Sequence, residues 1–124
     1  MSLVRVFACI ALMGGVAACG GGVGDLADLP PLATDQEIQL ASDFYASCLV
    51  AQARRLDDGK GTPIAVALKI VPLCEMQFAS LQDTSSRGGD PVTRYQVRDV
   101  LKADREAFAA SIVQRMRIDR ELGP

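Results

Sequence analysis

The 124-residue sequence predicts an all-α fold, a three-helix up-down-up bundle tied by one disulfide. Three observations lead there. Apolar residues recur at three- and four-residue steps in three separate stretches, the spacing of amphipathic helix faces. Each stretch opens on a residue suited to capping a helix, and in two of them proline follows. No segment of useful length alternates apolar and polar residues as a strand would, and no internal repeat is present.

The first helix is expected over about 35–57. Thr34-Asp35-Gln36-Glu37 fits a capping box, in which the Thr34 hydroxyl accepts from the Glu37 amide and Glu37 reaches back. Ile38, Ala41, Tyr45, Cys48, Leu49 and Leu56 form its apolar stripe, with Phe44 beside them. Asp57-Asp58-Gly59 should end it, with Gly59 as the left-handed residue that terminates the helix. Asp57 and Asp58 read as a cap and solvated turn.

The second helix is expected over about 63–83. Thr62 caps it, and Pro63 stands at the first position, where a missing amide costs nothing. Ile64, Ala67, Leu68, Val71, Cys74, Phe78 and Leu81 make the stripe. Val66, Ile70, Leu73 and Met76 add apolar surface around it, as in a helix central to a bundle. Pro72 conflicts with a regular helix, because it removes a donor and crowds the preceding turn. The stripe keeps its phase across Pro72, which predicts a kink rather than a break. Thr84 to Gly89 reads as a loop.

The third helix is expected over about 91–121, capped by Asp90 and begun by Pro91. Val97, Leu101, Phe108, Ile112 and Met116 mark its buried line, with Val100 and Ile118 flanking. Lys102 and Glu106 lie four apart on an outer face. A helix of this length spans about 45 Å.

The organisation ahead of this domain (34–124) is different in kind. Residues 1–18 place Arg5 before a short apolar core and then small residues, the pattern of a secretory signal peptide. The core is too short for a membrane span, which takes about 20 apolar residues. Residues 19–33 are rich in Gly, Asp and Pro and read as a flexible tether without packed structure.

Val16-Ala17-Ala18-Cys19 resembles the lipobox of bacterial lipoproteins, in which an aliphatic residue and two small ones precede an obligatory cysteine. The resemblance covers the leader only. It implies diacylglycerol transfer to the Cys19 thiol, cleavage after Ala18, and often acylation of the new amino group. The membrane is then a partner through the lipid anchor, and the domain faces the periplasm. In the enterobacterial version of the family, Asp after the cysteine favours inner-membrane retention. Gly20 stands there instead, which leans toward the outer membrane. The alternative is a secreted soluble protein, because Val16 and Ala18 also suit a general signal peptidase.

Of the four cysteines, Cys9 lies in the leader and Cys19 is the lipid site. Cys48 and Cys74 remain for an oxidising compartment, where disulfides persist. Each lies on the stripe of one of two adjacent antiparallel helices, at similar distances from the Gly59–Thr62 turn. A structural disulfide is the expected outcome, contributing about 3.5 kcal/mol in the chain-entropy account. A zinc site lacks ligands, and a redox pair would stand closer in sequence.

Composition narrows the function classes. Without Arg5 the chain keeps 12 basic and 15 acidic residues, a formal −3. That balance disfavours nucleic-acid binding, which needs a basic surface. Residues 19–58 sum to −5 and residues 94–121 to +2. The absence of His removes the commonest general base and every Ser-His or Cys-His arrangement. No catalytic, metal or cofactor site is expected. Glu75 reads as a surface residue near Lys69 or the loop, and Asp104 as a rim residue. Arg94, Arg98, Lys102 and Arg105 run along one side of the third helix. They form either a solvated face or a docking face for an acidic partner or lipid headgroups. The expected function is that of a non-enzymatic interaction or accessory protein with an envelope partner. The alternative is a small-molecule or lipid carrier, with a pocket lined by Phe44, Phe78, Phe108 and methionines.

Overall fold

A computed structural model describes residues 28–124. The leader, Cys19, Gly20 and most of the tether lie outside the described residues. The fold is all-helical in three arms. The first is α1 (Asp35–Leu56). The second joins α2 (Pro63–Ile70), a 3-10 turn (Val71–Cys74) and α3 (Glu75–Ser86). The third is α4 (Pro91–Leu122). No strand occurs among the described residues.

The caps explain where each arm begins. The Glu37 amide donates to Thr34 Oγ1 at 3.2 Å, and the Thr34 amide donates to Glu37 Oε2 at 2.8 Å, closing the capping box. Thr62 Oγ1 accepts from the Ala65 amide at 3.3 Å, with Pro63 at the first position. Asp90 Oδ1 accepts from the amides of Val92 and Thr93.

The ends differ from expectation in two places. Asp57 is the residue that leaves the helix, in extended conformation, and Gly59 adopts positive φ (+78°) two residues further on. Gly59 therefore shapes the following turn, where its amide donates to Asp57 Oδ1 at 3.1 Å. The second arm also runs past 83, through Thr84, Ser85 and Ser86. Ser86 is buried, and its hydroxyl donates to the Gln82 carbonyl at 2.7 Å, one turn back within the helix.

Pro72 changes the type of helix without opening the chain. It supplies no amide for an α-helical bond, so the backbone tightens into a 3-10 turn and resumes α geometry at Glu75. Cys74 carries the adjustment, at φ −115° and ψ 24°.

Rotation of the arms about their axes departs further from the expected stripes. In α1 the buried line is Ala41, Tyr45, Leu49 and Ala53, while Ile38 and Cys48 are partly exposed and Leu56 and Phe44 more so. In the second arm Val66 and Ile70 join Ala67, Val71, Cys74, Phe78 and Leu81 inside. Ile64, Leu68, Leu73 and Met76 face outward, so this arm is not buried all round. With three arms each keeps an outer side, and Ala67, Val71, Cys74, Phe78 and Leu81 keep one phase across the 3-10 turn. In α4 the buried residues are Ala109 and Val113, with Leu101, Ile112 and Met116 packed at the edge. Phe108 and Val100 are exposed and Val97 is partly so. Small residues at 41, 53, 67 and 109 let the backbones approach, and that close approach selects the buried line over bulk hydrophobicity.

Two features hold the arms together at mid-height. The Cys48–Cys74 disulfide joins α1 to the 3-10 turn with Cα atoms 5.9 Å apart. The Tyr45 ring lies 5.2 Å from Phe78 and 6.0 Å from Phe108, so one aromatic cluster touches all three arms.

The last tether residues are seated on the domain, contrary to the expectation of unpacked chain. Arg87 Nε donates to the Pro31 carbonyl at 3.2 Å. Gly88, at φ +77°, lies under Pro30–Leu32. A Cβ there would stand 2.6 Å from the Pro30 carbonyl oxygen and 2.7 Å from the Leu32 amide nitrogen. Gly88→Ala should therefore destabilise the domain by about 1–3 kcal/mol in urea unfolding, from left-handed backbone and displaced chain together. Unchanged stability would show that residues 30–32 are not held on this turn.

Candidate functional site

Between α1, α3 and α4 lies a cleft of about 160 Å³. Its walls are the rings of Tyr45, Phe78 and Phe108 with Leu81 and Leu101, and Arg105 lies along its edge. Asp104 stands exposed at the rim, as its sequence position implied. Of the residues expected to line a pocket, Phe78 and Phe108 do so. Phe44 and Met76 project to solvent elsewhere. Tyr45 was legible as a stripe residue but not as a wall. Its hydroxyl is fully buried with no hydrogen-bond partner among the described residues. Burial pushes the Tyr45 pKa up, so the hydroxyl keeps its proton.

The basic side of α4 is divided between structural ties and free charge. Arg105 Nη1 donates to Glu75 Oε2 at 3.2 Å, and its guanidinium sits 5.4 Å from the Phe78 ring centre. Glu75 thus pairs with α4 rather than lying beside Lys69. Arg98 is ion-paired with Asp83, and its carbonyl accepts from Gln82 Nε2 at 3.2 Å. Arg94 and Lys102 are exposed and make no ion pair among the described residues. The Lys102–Glu106 pair expected along the helix is not formed either.

Asp57 is the largest correction to the sequence reading. Its side chain is 0% exposed instead of solvated. Arg117 grips both oxygens, Nη2 to Oδ1 at 2.6 Å and Nε to Oδ2 at 3.1 Å, and Arg120 Nη2 adds a bond at 2.7 Å. Arg117 also donates to the carbonyls of Gly61 and Lys60 at 2.9 and 3.2 Å. The turn after α1 is thereby clamped to the end of α4. The Arg117 hydrogen bonds, then those of Gly59 and Arg120, hold the Asp57 carboxyl well below the usual carboxylate range. At the other end of α1, Arg87 Nη2 donates to Glu37 Oε2 at 2.6 Å. That bond and the Thr34 cap lower the Glu37 pKa from 4.5 to about 2.

No group of three His, Cys, Asp or Glu side chains suited to a metal ion occurs among the described residues. Pro63–Ser86 is long and apolar enough to cross a membrane by length and composition, but its inner side carries much of the core. Comparison with protein-family models, with curated proteins and with solved structures finds no match.

The clamp carries a pH dependence. Both Asp57 and Glu37 have folded pKa values below their unfolded ones. Their contribution is complete above the ordinary carboxylate range; that of Glu37 is lost as pH falls from about 4.5 toward 2, and that of Asp57 persists to lower pH still. Asp57→Asn should lower stability at neutral pH by about 2 kcal/mol and flatten that acid loss. A variant as stable as the parent, with the same acid profile, would show that the clamp contributes nothing.

Proposed function

We propose that this chain is a lipid-anchored protein of the bacterial cell envelope that acts as a non-enzymatic interaction or accessory module. The observation that carries the reading is the Val16-Ala17-Ala18-Cys19 lipobox at the end of a well-formed leader. The Cys48–Cys74 bond supports it, because disulfides persist outside the cytoplasm. After cleavage, lipid on Cys19 and the Gly-rich segment 20–29 hold the domain near the bilayer, facing the periplasm. Gly20 favours the outer membrane, and secretion without lipid is the alternative.

The arms are read as running up, down and up. Glu37 near the start of α1 pairs with Arg87 just after α3, Tyr45 in its middle touches Phe78 and Phe108, and Asp57 at its end meets Arg117. An interaction role is supported by the outer side of the second arm, where Leu73 and Met76 are 53% and 76% exposed beside Leu68. With no His in the chain and Cys48 and Cys74 bonded to each other, the residues offer little to covalent or acid–base catalysis. A second reading, a small-molecule carrier, is favoured by the aromatic cleft.

Metabolic labelling with a fatty acid tests the anchor. The wild-type chain should take up label and fractionate with membranes, and Cys19→Ser should do neither. A wild-type chain that carries no acyl group and fractionates as soluble would overturn the proposal. In the same membranes a photocrosslinker at Leu73 should give one discrete adduct with an envelope protein, and one at Asp104 should not. Equal labelling from both positions would contradict an interaction surface on the second arm.

A further inference from the structure

We infer that the end of the bundle where the tether enters is a membrane-contact face, and that Leu32, Val92 and Tyr95 rest it on the phospholipid interface. The inference rests on the lipid-anchored reading above and adds how the domain stands on its membrane.

The place of entry sets the geometry. Arg87 Nε holds the Pro31 carbonyl at 3.2 Å, and Gly88 lies under Pro30–Leu32. The neighbouring Gly89 is packed by α4, since a Cβ there would stand 3.3 Å from the Thr93 side chain and 3.4 Å from that of Arg94. One turn therefore joins the incoming chain to the start of α4. Residues 19–29 separate the lipid site from the held segment. A stretch of that length reaches at most about 40 Å. The anchor thus keeps the entry end within that distance of the bilayer however the domain turns. The 32-residue α4 leads away from this end for about 48 Å.

The side chains at this end suit a bilayer interface. Leu32 is 71% exposed, Val92 65% and Tyr95 71%. Val92 and Tyr95 stand three apart, on one side of α4. Tyrosine, with an apolar ring and a polar tip, is enriched where membrane meets water. Pro30, Pro31 and Pro91 are exposed around them and carry no amide hydrogen, so this stretch of backbone has fewer donors to keep hydrated.

Charge argues for contact through apolar groups and not through lipid phosphate. Glu37 is bound to Arg87, Arg98 to Asp83, and Asp90 accepts from the amides of Val92 and Thr93. Asp28, Asp35 and Arg94 stay exposed at this end and outside any ion pair among the described residues. Two acids against one base give anionic lipid no advantage. Three side chains are too few to hold a free domain on a membrane. The anchor makes the contact intramolecular, at an effective concentration of order millimolar. The outer side of the second arm then stays open to a protein partner.

Nuclear magnetic resonance on the full acylated chain in nanodiscs tests this directly. The discs carry a gadolinium-chelating lipid in phosphatidylcholine, with and without phosphatidylglycerol, and the Leu, Val and Met methyls are ¹³C-labelled. Leu32 and Val92 should lose their signals in both lipids, while Leu73, Met76 and Leu122 keep theirs. Leu32→Gln/Tyr95→Gln, at exposed positions, should restore the Val92 signal without altering the rest of the spectrum. Loss of signal from all five residues alike would overturn the inference, because the domain would then have no preferred face. Strongest loss at Leu73 and Met76 would overturn it by placing the second arm on the bilayer. Loss at Val92 only with phosphatidylglycerol would overturn the apolar contact in favour of Arg94 and Lys102 on lipid phosphate. Mass spectrometry of the same sample separates the two readings: an unacylated Cys19 removes the anchor and this inference with it, whereas an acylated chain without loss at Val92 removes the inference alone.

Discussion

Pro72 denies the middle of the second arm its α-helical hydrogen bonding, and the Cys48–Cys74 bond holds that weakened turn against α1. The rest of the arrangement depends on this pairing of a helix defect with a covalent tie. Once Cys74 is fixed, the rotation of α3 is set, and Phe78 one turn later must face Tyr45. Tyr45 and Phe78 in turn leave room for Phe108 from α4, and the three rings define the cleft. The buried line of the second arm keeps four- and three-residue steps through this turn, so Phe78 and Leu81 stay on the side that carries Ala67 and Val71. Leu68, Leu73 and Met76 lie off that buried line and face outward.

Polar ties then close the two ends of α1, with unequal weight. Glu37 and Arg87 are both partly exposed, and pairs of that kind contribute little on their own. Their value lies in position, because Arg87 also holds Pro31 and so fixes where the tether enters the domain. The Asp57 clamp is buried and multiply bonded, and it engages side chains and carbonyls of the turn at once. It sets the level of α4 against the turn joining the first two arms. The disulfide holds the middle while these ties hold the ends, so a domain of modest size has its arms fixed at three heights.

Much of this plan was written locally in the sequence. Thr34 with Glu37, Thr62 with Pro63 and Asp90 with Pro91 each carry their own start signal, since capping involves residues two or three apart. The Cys48–Cys74 bond followed from the distance of each cysteine from one turn. What stayed hidden depends on contacts far apart in the chain. Asp57 looked like any acid after a helix until Arg117 and Arg120, 60 and 63 residues on, were brought to it. Their spacing of three on one side of α4 was the available sign. Ala109 carries no bulk to mark it beside Phe108 in the sequence, yet close helix contact rewards a small side chain, and Ala109 is the buried one of the two. The alternative pocket expected from the sequence named Phe78 and Phe108; that Tyr45 rather than Phe44 joins them depends on which side of α1 packs inward, a contact between distant segments.

The most direct test is equilibrium urea unfolding of the oxidised chain beside a Cys48→Ala/Cys74→Ala form. A loop of 26 residues closed by the bond predicts a loss of about 3.5 kcal/mol, within the 2–5 kcal/mol typical of native disulfides, with helical content retained. Equal stability of the two forms would contradict the account, because the turn at Pro72 would then hold its place without the bond.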